Sequence, residues 1–234
     1  MSQVYDCVLW NGESELWDIR RHELAGVVHY HVVLESSRTF AGNPKQLRFD
    51  QCLGFEVDQI HSLYHGPDGT RGWRTPEGAI VIWLPVRDTP REAKPWPSEH
   101  FERNALLRIL SLSSVDPMSL ILLSDADEIP SAESVRLVQD NLGRGAAAFR
   151  QQLSYYHVNQ LAYDMGGGGS DPKPEPWHGT KAIRRCELTT PQSLRDLSWS
   201  DCPFLAAQGG WHFSYCGGAD RIRQKIQSYA HQEF

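Results

Sequence analysis

The chain lacks any apolar run long enough to cross a membrane as a helix. Its longest, Ala79–Pro85 and Leu120–Leu123, fall far short of the roughly 20 residues such a span needs. The opening MSQVYDCVLWNGE has no basic stretch leading into an apolar one, so no secretion signal is read there. Cysteine is sparse. Cys7, Cys52, Cys186, Cys202 and Cys216 stand far apart and form no C-x-x-C pair, which argues against a zinc ribbon or a thioredoxin-type centre. Reduced thiols are the default expectation, with a disulfide among the later ones left open. Excess positive charge is missing too: a net charge of −6 speaks against a surface that wraps a polyanion, so no nucleic-acid partner is expected. H-E-x-x-H, G-x-G-x-x-G, G-x-x-x-x-G-K-[ST] and G-x-S-x-G are all absent, which weighs against zinc peptidases, dinucleotide-binding dehydrogenases, P-loop NTPases and α/β-hydrolases.

What is present is an ordinary globular composition over 234 residues, 40% hydrophobic and 22% charged, enough chain to bury a real core. Eight Trp and eight Tyr exceed what a core needs. Most are read as packed, although such flat amphipathic rings also suit sugars and bases. Strand-like runs at Val4–Trp10, His29–Leu34, Gln59–Tyr64, Ala79–Leu84, Ser119–Leu123 and Ala146–Tyr156 alternate with helical patterns. The first helix is expected to turn Leu16, Ile19, Leu24 and Val27 inward. A second is expected from a Ser98 cap to about Leu112, and a third over Ser131–Leu142. Repeated strand–helix–strand units imply an α/β fold with a central, mostly parallel sheet flanked by helices. One domain over 1–234 is expected. Residues 1–156 are expected to form its core, and 157–234, rich in Pro, Gly and Trp, an irregular binding surface ending in a helix near Ala219–His231. Gly166–Ser170 (GGGGS) reads as the unit of an engineered flexible linker standing in for a natural loop.

The sharpest local signal is Ser124-Asp125-Ala126-Asp127-Glu128-Ile129-Pro130, directly after the Ser119–Leu123 strand. Ligand sites of open α/β sheets lie outside the carboxyl ends of strands, and clustered acids repel one another unless a cation neutralises them. Asp125 and Asp127 can both reach one hard divalent ion, Mn²⁺ or Mg²⁺, that screens a nucleoside diphosphate. Equally, these acids can cap the helix that starts at Ser131 or face water. Glu35 ends a strand at the same edge, where it can accept hydrogen bonds from a base or ribose or simply be solvated. Arg103 and Asn104 precede the acidic strand and can reach a donor diphosphate or sugar; the alternative for Arg103 is an ion pair with Glu99. His212 follows two glycines, a setting equally compatible with a ligand and a packed ring.

Five ordered blocks carry a resemblance: Tyr5–Leu24, Val33–Gly42 with Glu35, the Arg103-Asn104 pair, Asp125–Pro130 (DADEIP), and Gly209–Tyr215 (GGWHFSY) with Lys225–Glu233. Together they resemble glycosyltransferase family 17 across nearly the whole chain. The resemblance implies a GT-A type nucleotide-sugar-binding fold, inverting transfer of GlcNAc from UDP-GlcNAc to a mannosyl glycan or glycoprotein, and dependence on Mn²⁺ or a similar ion. It assigns the metal to Asp125 and Asp127, with His212 completing the set. Glu35, Arg103, Asn104, Asp125 and Trp211 are expected on the donor, and Trp177 is a second ring able to stack on sugar. The catalytic base is sought among Glu128, Asp201 and Glu233, with a purely structural role for Glu128 as its alternative. A non-catalytic glycan- or nucleotide-sugar-binding domain on the same scaffold is the competing reading. The compartment is expected to be the cytoplasm if the sequence is native and full length, and the Golgi lumen if it is the trimmed catalytic domain of an animal-type member.

Overall fold

The computed structural model describes residues 2–53, 64–65, 69–90, 95–164 and 173–228. Most of the Gln59–Tyr64 strand reading, the Gly166–Ser170 segment, His231 and Glu233 lie outside the described residues. In chain order the elements are β1 (Val4–Leu9), α1 (Ser14–Glu23), β2 (Tyr30–Ser36), β3 (Tyr64–His65), β4 (Arg71–Arg74), β5 (Ile80–Val86), α2 (Pro95–Ala105), α3 (Leu107–Leu110), β6 (Leu120–Asp125), β7 (Glu128–Pro130), α4 (Ala132–Asn141), β8 (Ala147–Phe149), β9 (Gln151–Tyr155), β10 (Tyr163–Asp164), β11 (Lys173–Pro174), β12 (Pro176–Trp177), β13 (Lys181–Arg184), α5 (Pro191–Asp196), β14 (Phe204–Ala206), β15 (Gly210–Ser214) and α6 (Gly218–Ser228).

Nine strands make the main sheet in the order β14-β8-β13-β6-β1-β2-β5-β4-β3. Its centre, β6-β1-β2-β5, is parallel throughout, while β13 on one side and β4 on the other run antiparallel to it. The continuous apolar run of β6 is explained by burial on both faces. Leu120 and Leu122 pack with Leu24, Val135 and Val138 on the side of α1 and α4. Ile121 and Leu123 pack with Ala105, Leu106, Ile109 and Leu194 on the side of α2, α3 and α5. The expected α/β layer with a central parallel sheet between helices is the architecture observed. β1 leads into β2 on one side while β6 lies on the other, so the strand order reverses between β1 and β6, where a crevice opens outside their carboxyl ends.

Four local expectations change. α1 buries Trp17, Arg20 and Arg21 and leaves Ile19 exposed. The helix is rotated because Asp6, inside β1 on the α1 face, draws Arg20 into the core. Ser98 is no cap but a buried residue within α2, which already includes Pro95, a residue at home in a first helical turn. The Ala146–Tyr156 run is two strands: at Arg150 the chain leaves the main sheet for a second one, ordered β12-β9-β15-β7. Finally, the region after residue 156 is more than a surface. β13 inserts between β8 and β6 of the main sheet, and β14 extends it.

Candidate active site

Strand pairing assembles the site. Asp125 ends β6 opposite Leu9 of β1, at the point where the strand order reverses. The chain then turns through Ala126 and Asp127 into β7, which pairs antiparallel with β15 so that His212 stands opposite Glu128. Two glycines permit this closeness. Gly210 has φ +112°, and a Cβ there would lie 2.2 Å from Ile129 O; a Cβ on Gly179 would lie 1.9 Å from Glu128 Oε1. Beneath the turn, buried Arg20 donates to both oxygens of Asp6, to Ser124 Oγ at 2.6 Å and to Glu128 O at 2.8 Å. The acids are thus hung on a clamp rooted in β1 and α1.

The cleft in front of them encloses about 580 Å³. Asp125 Oδ1 accepts from Arg103 (3.1 Å) and Oδ2 from Arg195 (2.9 Å). Asp127 Oδ2 accepts from Lys225 Nζ (2.5 Å) and lies 3.5 Å from His212 Nε2. Burial alone would raise the Asp127 carboxyl, but Lys225 and His212 outweigh it and hold the group well below the carboxylate range. The same contacts overcome burial in the other direction, raising the Lys225 ammonium and the His212 imidazole. His212 rests on the Trp177 ring at 4.7 Å, and its Nδ1 is buried with no hydrogen-bond partner among the described residues. Lys225 is brought here by α6, which is tied to the loop after β1 through Asn11–Ser228 and Arg221–Gly12 contacts.

Of the residues singled out from sequence, Arg103, Asp125, Asp127, Glu128, Trp177 and His212 come together on this cleft. Glu128 and the remaining candidates stand differently from expectation. Glu128 is 1% exposed, and its carboxylate accepts from Asp125 N, Trp177 Nε1 and both terminal nitrogens of Arg195. Its lone pairs are committed and the Arg195 guanidinium overcomes burial to lower its pKa, surroundings that favour the structural alternative over the base. Glu35 is consumed inside the fold by Arg48 N, Phe49 N and Trp83 Nε1. Asn104 accepts from Gln192 N in the first turn of α5. Trp211 alternates with His212 along β15 and so faces a different depression, beside Arg150 and Pro176. Asp201 is exposed in the turn Trp199–Asp201 and is not part of the cleft wall.

The sequence model of glycosyltransferase family 17 matches residues 1–70 and 78–165. The chain belongs to that family. Its curated relatives include the β-1,4-mannosyl-glycoprotein 4-β-N-acetylglucosaminyltransferases of Homo sapiens (26% identical), Rattus norvegicus (27%) and Mus musculus (26%), each aligned over 259 positions. Each alignment covers 99% of this chain but 44% of the relative, so the chain spans less than half the length of these proteins.

A divalent ion, which the family resemblance led us to expect, fits these residues poorly. Both oxygens of Asp125 and one of Asp127 already accept from cationic side chains. Among the described residues, His212 Nδ1 has no outer partner of the kind that normally orients a metal-bound imidazole. Among the described residues, no group of three or more His, Cys, Asp or Glu side chains is arranged to hold an ion.

Among the cleft residues of this family 17 chain that sequence reading did not single out as site residues are Arg195, Lys225, Glu102 and Glu13. Glu102 is 2% exposed, accepts from Thr89 Oγ1 at 3.1 Å, and burial pushes its carboxyl up to about 7. Burial likewise raises Glu13, beside Asp127. Helical spacing in α2 puts Glu99, Glu102 and Arg103 on one side, and Lys225 opens the last block of the family resemblance. Nothing local marked Arg195.

Proposed function

We propose that the chain transfers GlcNAc from UDP-GlcNAc to a hydroxyl of a mannosyl glycan or glycoprotein, with inversion, on a GT-A type nucleotide-sugar-binding fold. Family membership and the names of the relatives support the sugar and the acceptor class. The observation that carries the reading is the acid- and cation-lined cleft where the sheet order reverses, the usual ligand position in open α/β sheets. Trp177, Tyr155 and Tyr215 add aromatic faces to its wall, suited to pyranose rings.

Inversion is a single displacement. The acceptor oxygen forms a bond to the anomeric carbon as the bond to the diphosphate oxygen breaks, UDP leaves with that electron pair, and the hydroxyl proton passes to a base. We assign the base to Glu102. It lines the cleft, and a carboxylate raised to about 7 by burial takes a proton far more readily than Glu128 does.

The test is transfer from UDP-GlcNAc to a panel of mannosyl oligosaccharides, with the linkage read by NMR. A β-linked GlcNAc product is expected. UDP-GlcNAc binding without turnover on any acceptor would instead favour a binding domain, and equal thermal stabilisation by UDP-galactose would remove the donor assignment. Glu102→Gln is expected to lower kcat about 10²–10⁴-fold and to abolish the acid limb of the pH–rate profile near 7.

A further inference from the structure

The acidic turn after β6 is neutralised from within the chain. Of the six carboxylate oxygens of Asp125, Asp127 and Glu128, four are bonded to the cations Arg103, Arg195 and Lys225 and a fifth, Glu128 Oε2, to both Arg195 and a backbone amide. A dication set among them would face three fixed positive charges in a confined space. The cations differ in what they have left to give. Arg195 spends its four terminal N–H groups inside the protein, on both oxygens of Glu128, on Asp125 Oδ2 and on Gly179 O at 2.6–2.9 Å, and so braces the turn. Lys225 is one-third exposed, packs its ammonium 5.1 Å from the centre of the Tyr215 ring, and reaches the cleft as a point charge.

On the transferase reading above, we propose that Lys225, rather than a divalent cation, meets the diphosphate of the nucleotide-sugar donor, and that Asp127 is the positioning residue that holds its ammonium in place, while Arg103 and Arg195 brace Asp125 and Glu128. As the anomeric carbon leaves the diphosphate oxygen for the acceptor oxygen, the electron pair stays on UDP. Its charge is met by the Lys225 ammonium while the acceptor proton goes to Glu102. A donor preset where charge develops needs no rearrangement during the reaction. The ammonium stands on Asp127, one acid of the Asp-x-Asp pair.

The experiment uses the whole chain, stripped with EDTA and then assayed with and without added Mn²⁺, by UDP-GlcNAc turnover and by calorimetric titration with UDP. Turnover and UDP affinity in EDTA within about threefold of their values in Mn²⁺ are expected. Lys225→Met is expected to lower kcat about 10²–10³-fold, the loss typical of one preset donor, and to weaken UDP in EDTA, with Mn²⁺ restoring neither. Lys225→Arg should keep most of the UDP affinity, which a lysine that merely props the fold would not explain. Activity or UDP binding that appears only with Mn²⁺, or electron paramagnetic resonance showing stoichiometric Mn²⁺ on the ligand-free protein, overturns the proposal. Absence of turnover in both conditions sinks the transferase reading. UDP titration still decides the cation assignment in that case: metal-free binding lost in Lys225→Met supports it, and Mn²⁺-dependent binding refutes it.

Discussion

Two clusters in this molecule have the same chemical parts: one aspartate, one cation and one histidine. Under the sheet, Asp6 meets Arg20 through both oxygens and His31 Nδ1 at 2.8 Å, with all three side chains at most 1% exposed. At the cleft, Asp127 meets Lys225 and His212, both on the same oxygen; Lys225 is one-third exposed and His212 Nδ1 lacks a partner among the described residues. The first cluster is closed: its groups have the partners they need, and Arg20 spends its remaining donors on the acidic turn. The second is incomplete, with contacts that a ligand can exchange. The difference shows how a protein separates holding from acting. A fully satisfied buried pair fixes geometry, while a partly satisfied one at a cleft keeps free energy available for binding.

The comparison breaks first at Arg20. Arg20→Met leaves Asp6 buried without its cation, and a loss of about 3–5 kcal/mol in denaturant unfolding is expected. Lys225→Met should lose less than half of that; equal losses would mean that the two clusters do the same job. Next is Asp125→Asn, where both guanidinium groups lose their shared anchor. Turnover is expected to fall about 10²-fold through misplacement of Arg103 and Arg195, while the melting temperature stays within a few degrees of the parent.

The third test is acid titration. Although burial opposes it, Arg20 and His31 hold the Asp6 carboxyl below its ordinary 3.8, so its contribution is present above that pH and lost as pH falls through the native value. Asp6→Asn should flatten the acid side of the stability curve. The smallest effect runs the other way. The Glu102 carboxyl is raised by burial from 4.5 to about 7, so between those values the native state binds the extra proton and stability declines as pH rises. Glu102→Gln should therefore stabilise the protein more at pH 8 than at pH 5 in thermal melts. A curve parallel to the parent's would place Glu102 in water rather than in the cleft wall.

Much of the fold was legible. The buried β6 run, the β-branched β2 and the helix expected over Ser131–Leu142 all follow from local pattern, because burial on both faces and helical periodicity leave marks in adjacent residues. The turn Asp125–Glu128 was legible as a site for the same reason. Where the reading failed, a distant partner decided. Ile19 was expected inside and lies outside because Asp6 claims Arg20. Trp211 was expected on the cleft and faces away because β15 is registered by its pairing with β7, and a strand alternates its faces. Glu128 offered itself as a base until Arg195, 67 residues later, was seen to occupy it.

By itself the sequence determined the class of fold and the strand that carries the acids, which depend on periodicity and on residues within a few positions of one another, and the family, which depends on ordered blocks along the chain. Only the tertiary structure decided what the acids do. Charge is a sum over neighbours in space, and the cations that answer Asp125 and Asp127 come from α2, α5 and α6, 22 to 98 residues away along the chain. Read locally, three acids in four residues ask for a metal. Folded, they are met by three side chains of the same chain.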